Sequence, residues 1–468
     1  MNYYNSILKT KEKLNKVGKG FCLMKWQTVT LYLHMGDNHS CYHPRPRRIG
    51  LHEIENNPSA LHNTEWKKEQ RKTMLEGGRP EECYYCWNIE DLEGEHISDR
   101  MVHSASEYAG KDYETIKNLP WDADWNPRHI ELSFGNKCNF KCIYCCPQAS
   151  SSWMDEIERH GNYDVSYNQY GIEFLNDQFY KPDDHNPYVD AFWKWWPDLK
   201  KDLEILRITG GECLINPNTY KMLDMLDEDP SPHLTIHINS NMGMATKFVE
   251  RLIEKINKLL AENKIKAFEI FTSVESWGEK AEYIRSGFNC DLWEKNIKLY
   301  LNSVNDSKLH LMCTYHNLCV RNSFKLLLDK IMGWRQEFPE VEYKDGKIEQ
   351  RIAFDTPYIK EPPWFLLNTL PRSYLNDQKD ILMYMRENQM DKIGWHGFGE
   401  IEYEKMKRVT DVMVENPFTV KQINDGQKDF FKFVKEHDKR RNKNFLKTFP
   451  EYEDFLEMCF FKVREDGN

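Results

Sequence analysis

A chain of 468 residues is long enough for two or three domains, and its 40% hydrophobic and 13% aromatic content predicts a substantial core. The formal net charge of −10 argues against broad nucleic-acid binding, which needs a basic footprint; the short runs Arg45-Pro46-Arg47-Arg48 and Lys439-Arg440-Arg441 read as solvated surface. No run of about 18 apolar residues predicts a membrane span, and the polar N-terminus has no apolar signal segment. The 13 cysteines therefore point to thiolates and metal in a reducing compartment, the cytoplasm (the host's, if the chain is viral), rather than to disulfides.

In chain order, residues 1–120 predict a cysteine-rich module. Phe21 to Leu33 is β-rich and is followed by the turn-prone Gly36-Asp37-Asn38, a hairpin that brings Cys22 and Cys41 together. Residues 64–76 read as a helix stopped by Gly77-Gly78-Arg79-Pro80, and Cys83-x2-Cys86 is a chelating turn. Four thiolates suit either closed tetrahedral zinc or a fully ligated iron–sulfur cluster, and His39 or His43 can replace a cysteine. Residues 121–356 alternate strands (His129–Phe134, Leu203–Thr209, Leu234–Asn239, Ala267–Val274, Leu309–Tyr315, Ile348–Phe354) with helices (about 148–159, 216–228, 245–262, 290–304, 322–337). Six such repeats predict an α/β fold with a parallel sheet and crossover helices. Residues 161–190 read as a loop leading into Phe192, Trp193, Trp195 and Trp196, either a lid or an aromatic helix on the sheet's outside. Residues 357–468 read as a mainly helical extension, and there is no internal repeat.

The strongest motif is Cys138-x3-Cys142-x2-Cys145, with Tyr144 just before the last cysteine. This composition gives about 0.01 such triplets by chance. Three close thiolates can cap three irons of a [4Fe–4S] cube and leave the fourth open to a ligand. A zinc knuckle or a buried thiol cluster is the simpler alternative, but zinc sites usually close with four ligands. Gly210-Gly211-Glu212 follows an apolar strand; two glycines admit close backbone approach, and a carboxylate pairs with a cationic amine. Ser240 and Asn241 follow the next strand, Ser273 ends the one after, and Glu275 lies two residues on.

The C-x3-C-x-aromatic-C stretch resembles the signature of the radical SAM superfamily. That resemblance implies a partial (βα)6 TIM-like barrel and a [4Fe–4S] cluster on Cys138, Cys142 and Cys145. It also implies S-adenosylmethionine bound at the open iron and reductively cleaved to a 5′-deoxyadenosyl radical that abstracts hydrogen from substrate. By the same resemblance Tyr144 lies against the adenine, Gly210, Gly211 and Glu212 bind the methionine ammonium, and Ser240 and Asn241 contact the ribose. Ser273 faces the methionine or ribose. Arg285, in Tyr283-Ile284-Arg285-Ser286-Gly287 (a residue shorter than the family's segment), pairs with the methionine carboxylate. Cys41-Tyr42-His43-Pro44 and Cys83-x2-Cys86-Trp87 resemble the SPASM/twitch modules of that superfamily, including phage-type proteins, although here the module precedes the barrel. This implies an auxiliary [4Fe–4S] cluster, with zinc as the alternative, on Cys22, Cys41, Cys83 and Cys86. It further implies a flavodoxin- or ferredoxin-type electron donor and a peptide or protein side chain as substrate. A nucleotide or RNA base as substrate, and a non-catalytic metal-stabilised interaction protein, are the competing readings.

Overall fold

The computed structural model describes residues 3–93, 96–166, 179–181, 184–343, 346–415 and 418–465. Its strands are β1 (Thr28–Tyr32), β2 (Asp37–His39), β3 (Arg47–Arg48), β4 (His129–Ser133), β5 (Lys141–Cys142), β6 (Ile205–Thr209), β7 (Ser231–Asn239), β8 (Ile265–Ser273), β9 (Arg285–Ser286), β10 (Leu309–Met312), β11 (Glu340–Glu342), β12 (Ile348–Gln350) and β13 (Ile352–Asp355). Nine form one sheet in the order β13-β10-β8-β7-β6-β4-β1-β2-β3. Every pairing from β13 to β1 is parallel, and β2 and β3 add antiparallel at one edge. Among the described residues β13 and β3 do not pair with each other, so the sheet is open and not a closed barrel.

Period-2 alternation explains the sheet's two faces. Ile130 and Leu132, Leu206 and Ile208, and Ile236 and Ile238 point to one side and are buried, while the residues between them on the other side are half-buried. The buried side is covered by crossover helices. Thr246–Ala261 buries Val249, Leu252, Ile253, Ile256 and Leu259, a stripe at helical spacing. Each such side chain stabilises by about 1.5–3 kcal/mol when fully withdrawn from water.

The six expected strands are present, with three differences. Ile348–Phe354 divides at Arg351, whose guanidinium reaches the carbonyls of Leu301 (2.8 Å), Val304 (2.6 Å) and Asn305; β12 turns aside to pair with β11, and only β13 joins the sheet. The expected hairpin pairs β1 with β2, but its start is the helical turn Met24–Gln27. Most consequentially, β1 pairs parallel with β4, Thr28 to His129 through Tyr32 to Ser133. The expected boundary near residue 120 therefore falls between two paired strands of one sheet. Of the expected 161–190 insertion, residues 167–178 and 182–183 lie outside the described residues. The aromatic segment after it is the helix Pro187–Leu199, which buries Phe192, Trp195 and Trp196 and stacks Trp193 on Phe134 (5.4 Å) on the sheet's helical side. Helices also make up most of 374–465. Among the described residues no helix is long and apolar enough to cross a membrane.

Candidate active site

The cysteine loop leaves the C-terminal end of β4, where parallel β/α folds build their sites. Phe140 and Ile143 are buried and alternate with half-buried Cys138, Cys142 and Cys145, so apolar anchors turn the thiols toward one side. The start of helix Ser151–His160 holds the loop: Ser150 Oγ donates to Phe140 O (2.7 Å), Ser152 Oγ to Cys138 O (2.7 Å) and Trp153 Nε1 to Cys142 O (2.8 Å). Behind it, β5 pairs with β9, and Arg441, at the end of helix Val420–Arg441, donates to Lys141 O (2.7 Å) and to Glu156 (3.0 Å). Two N–H donors point at sulfurs, Phe140 N to Cys138 (3.4 Å) and Arg285 NH1 to Cys142 (3.6 Å). Burial pushes Cys138 up to about 12 and raises Cys142, while Cys145 is raised first by its hydrogen bond with Cys146, then by burial and by the charges of Cys146, Cys142 and Cys138. Cys146 shares a hydrogen bond with Cys145.

Gly210 and Gly211 both have positive φ, +87° and +53°. A Cβ at Gly210 would meet Ser133 Oγ at 1.8 Å, and one at Gly211 would meet Lys137 O at 2.3 Å. The turn after β6 is thus pressed onto the cysteine loop, and Glu212 N donates to Lys137 O (2.7 Å). Glu212 is fully buried. Its carboxylate accepts from Leu214 N (2.9 Å), Ser240 Oγ (2.8 Å) and Asn241 N (2.6 Å), yet burial outweighs these donors and raises its pKa to about 7. Asn241 Nδ2 donates to Asn139 Oδ1 (2.8 Å), closing a ring of contacts from the ends of β4, β6 and β7. Ser273 is half-buried at the end of β8, level with Met312 of β10.

Arg285 is not a free anion clamp. Its guanidinium is 4% exposed and is taken by the fully buried Glu275 (Nε to Oε2 3.0 Å, NH2 to Oε2 2.6 Å), by the Tyr144 hydroxyl and by the Cys142 sulfur. Tyr144 in turn donates to Glu275 (3.1 Å), and its ring lies 5.5 Å from that of His316, a buried imidazole whose Nε2 has no partner among the described residues and which burial holds neutral, near 3. Glu275, Trp153, Arg441 and His316 carry no local signature. The one readable hint was the acid just past a strand end.

The half-buried side of the sheet is polar. Thr30, Glu131, Arg207, His237 and Glu269 face one another across five adjacent strands in a single register row. Glu269 accepts from His310 (2.8 Å) and Tyr343 (3.2 Å), while Arg207 stacks over Phe271 (4.4 Å) and donates to Asn239 (3.0 Å).

Cys22, Cys41, Cys83 and Cys86 line one small cavity with His103 and Arg100. Burial pushes each thiol up, Cys86 to about 12, and charges of the set add to the rise at all but Cys41. His39 bonds the Cys41 carbonyl through Nδ1, and His43 Nε2 contacts Asp99 (2.5 Å) while its ring stacks on Tyr85 (3.7 Å). A second cavity shares Met24, Cys41 and His103 with the first and reaches His129 and Glu131 of β4, so the four-thiol pocket abuts the polar face through Cys41. Lys360 lies over the Tyr85 ring (5.3 Å), and the charge of its neighbour Glu361 acts on Cys146.

Soft thiol sets of three and four suit iron–sulfur groups or zinc, and metal binding reverses the upward thiol shifts by taking thiolates. Among the described residues no three His, Cys, Asp or Glu side chains converge as ligands of one metal ion. Tetrahedral zinc holds its sulfurs about 3.8 Å apart on 2.3 Å bonds; a cube puts each thiolate on its own iron and spreads them further.

No family model matches this chain, and no curated protein matches it. Among solved structures it is similar to SuiB of Streptococcus suis bound to S-adenosylmethionine (15% identity, TM-score 0.35, 70% of this chain and 59% of that one) and to a second structure of SuiB (14%, 0.35, 70% and 58%). The chain thus spans under two thirds of SuiB, at a distance that transfers no residue role.

Proposed function

We propose that this chain is a radical SAM enzyme with an auxiliary metal centre, acting on a peptide or protein side chain. One observation carries the reading: the C-x3-C-x2-C loop stands at the end of β4 with the Gly210-Gly211-Glu212 turn of the neighbouring strand pressed against it. When bound, a [4Fe–4S] cluster and S-adenosylmethionine would supply a radical able to take hydrogen from an unactivated carbon. Cys138, Cys142 and Cys145 would hold that cluster, with the Phe140 amide and Arg285 donating to the sulfurs. Gly210, Gly211 and Glu212 would receive the methionine ammonium, a cation that would lower the raised pKa of Glu212. Ser240, Asn241 and Ser273 would border the ribose and methionine. Tyr144 would face the adenine, held there by Glu275 and Arg285.

Cys22, Cys41, Cys83 and Cys86 would carry the second centre in a SPASM/twitch-like module, as an iron–sulfur cluster in preference to zinc. Their cavity abuts the polar face on which substrate would lie, which fits electron exchange with a substrate radical. A flavodoxin- or ferredoxin-type protein in the cytoplasm would supply electrons.

Anaerobic protein given S-adenosylmethionine and a reductant should release 5′-deoxyadenosine, and Cys142→Ala should release none. Deoxyadenosine from the variant at the parent rate, or none from intact iron-loaded protein, would sink the reading. A metal-stabilised interaction protein would bind iron and give no deoxyadenosine.

A further inference from the structure

Arg207, on the polar face of the sheet, has no acidic partner among the described residues. It stands between Glu131 and His237 in the register row, and neighbouring strands lie about 4.8 Å apart, well within an arginine's reach. Its Nε donates instead to Asn239 Oδ1 (3.0 Å), and its guanidinium lies over the Phe271 ring (4.4 Å). Asn239 and Phe271 pair with each other one row nearer the C-terminal ends of the strands. The side chain is thus directed toward the end of the sheet that carries Glu212, Ser240 and Asn241. These two contacts orient the guanidinium. Among the described residues neither of its terminal NH2 groups has a hydrogen-bond partner, and the side chain is only half-buried.

Glu131 is its complement. It is half-buried too, and among the described residues its carboxylate accepts no hydrogen bond. The other charged groups on this face are engaged or neutral. Glu269 is held by His310 (2.8 Å) and Tyr343 (3.2 Å), Asp355 at the strand ends pairs with Lys405 (2.8 Å), and burial keeps His129 and His237 neutral, near 3 and 4. A ligand covering the face would strip water from Arg207 and Glu131, so each needs a partner on that ligand.

A guanidinium with both NH2 groups open takes a planar or tetrahedral anion through paired N–H···O bonds. The acids of the row decide which. Glu131 lies one strand from Arg207 and Glu269 two strands away on the other side. A polyphosphate would bring more negative charge than one guanidinium offsets between two carboxylates. A single carboxylate would not, and Glu131 then requires an N–H beside it. An aspartyl or glutamyl residue within a peptide carries both groups, its side-chain carboxylate and its own backbone N–H, at about the spacing of two strands.

We infer that Arg207 and Glu131 are the specificity-determining pair of this face, Arg207 receiving the carboxylate of an acidic residue of the substrate peptide and Glu131 that residue's backbone N–H. The inference rests on the reading that a peptide lies on this face, and it names what that peptide must carry.

The test measures binding of acetyl-Gly-Glu-Gly-amide, and of the same peptide with Gln or Lys at its centre, to full-length iron-loaded protein by equilibrium dialysis with S-adenosylmethionine present. The parent should bind the glutamyl peptide about tenfold more tightly than the glutaminyl one. Arg207→Gln should remove that preference, Arg207→Lys should keep part of it, and Arg207→Glu should transfer it to the lysyl peptide, an exchange that lost packing alone cannot produce. Methylating the glutamyl backbone nitrogen should weaken binding to the parent and leave binding to Glu131→Ala unchanged. Equal affinity of the parent for the glutamyl and glutaminyl peptides, an undiminished preference in Arg207→Gln, or displacement of the peptide by inorganic triphosphate more readily than by glutarate would each overturn the inference. Should Arg207→Gln not fold, an undiminished preference in Arg207→Lys would overturn it. Deoxyadenosine from the parent without the peptide preference removes the inference alone; the preference without deoxyadenosine removes the radical SAM reading and leaves the carboxylate site standing.

Discussion

At the scale of single residues, Glu212 and Arg285 behave differently from free ligand-binding groups. Glu212 already satisfies three donors from the ends of two strands. Replacing it by Ala orphans them, which should destabilise the metal-free fold by about 2–4 kcal/mol in urea titrations. Its pKa rises from 4.5 to about 7 on folding. The stability it contributes is therefore complete below pH 4.5 and is lost as pH rises toward 7, and Glu212→Gln should flatten that part of the stability–pH curve of metal-free protein. An unchanged slope would mean that the carboxylate is ionised when folded. Arg285 and Glu275 form a fully desolvated pair, so removing either partner should cost about 3–5 kcal/mol, and the double substitution should cost less than the sum of the singles. Additive losses would show the two to be uncoupled. The segment around Arg285 marks the arginine but carries no sign of its partner. Periodicity assigns residues to faces, but the meeting of Glu275 with Tyr144 across 131 positions depends on how the strand ends close over the loop.

At the scale of elements, two devices hold the thiol loop in place. The Gly210-Gly211 turn leaves no room for a Cβ. Gly211→Ala should cost about 2 kcal/mol or more, because positive φ and a backbone clash act together, and a melt within a degree of the parent would contradict the packing. The second device is the Arg441–Glu156 contact, both side chains 3% exposed, through which the last turn of a C-terminal helix grips Lys141 O. Arg441→Ala should raise amide exchange across 138–145 while leaving exchange in β7 and β8 unchanged. Equal protection in both would place the clamp's effect elsewhere. Elements were legible where apolar alternation or a helical stripe ran long enough, as in β4, β6 and Thr246–Ala261. They were misread where a polar side chain overrides the pattern: Arg351 bonds three carbonyls at the end of another helix and breaks one expected strand into two.

At the scale of the molecule, two separate thiol sets predict two separable metal populations. Fully loaded protein should hold about eight irons if both are cubes, and removal of either cysteine set should leave about four. A zinc second centre would instead leave four irons and one zinc in the parent. The parallel α/β sheet and the motif at its strand ends were readable because each depends on neighbours in sequence. That Cys22, Cys41, Cys83 and Cys86 line one cavity was readable only as spacing, and the extension of the sheet by the N-terminal strands was not readable, since it depends on pairings between segments distant in sequence. The pairing of β1 with β4 is the clearest of these. It means that the segment bearing the first two of those cysteines also supplies a structural strand. A truncation designed to excise residues 1–120 as a cassette would strip β4 of its neighbour and expose a raw parallel edge backed by Ile130 and Leu132. Such a fragment should associate through that edge and come out of cells as aggregate rather than as an enzyme lacking one centre.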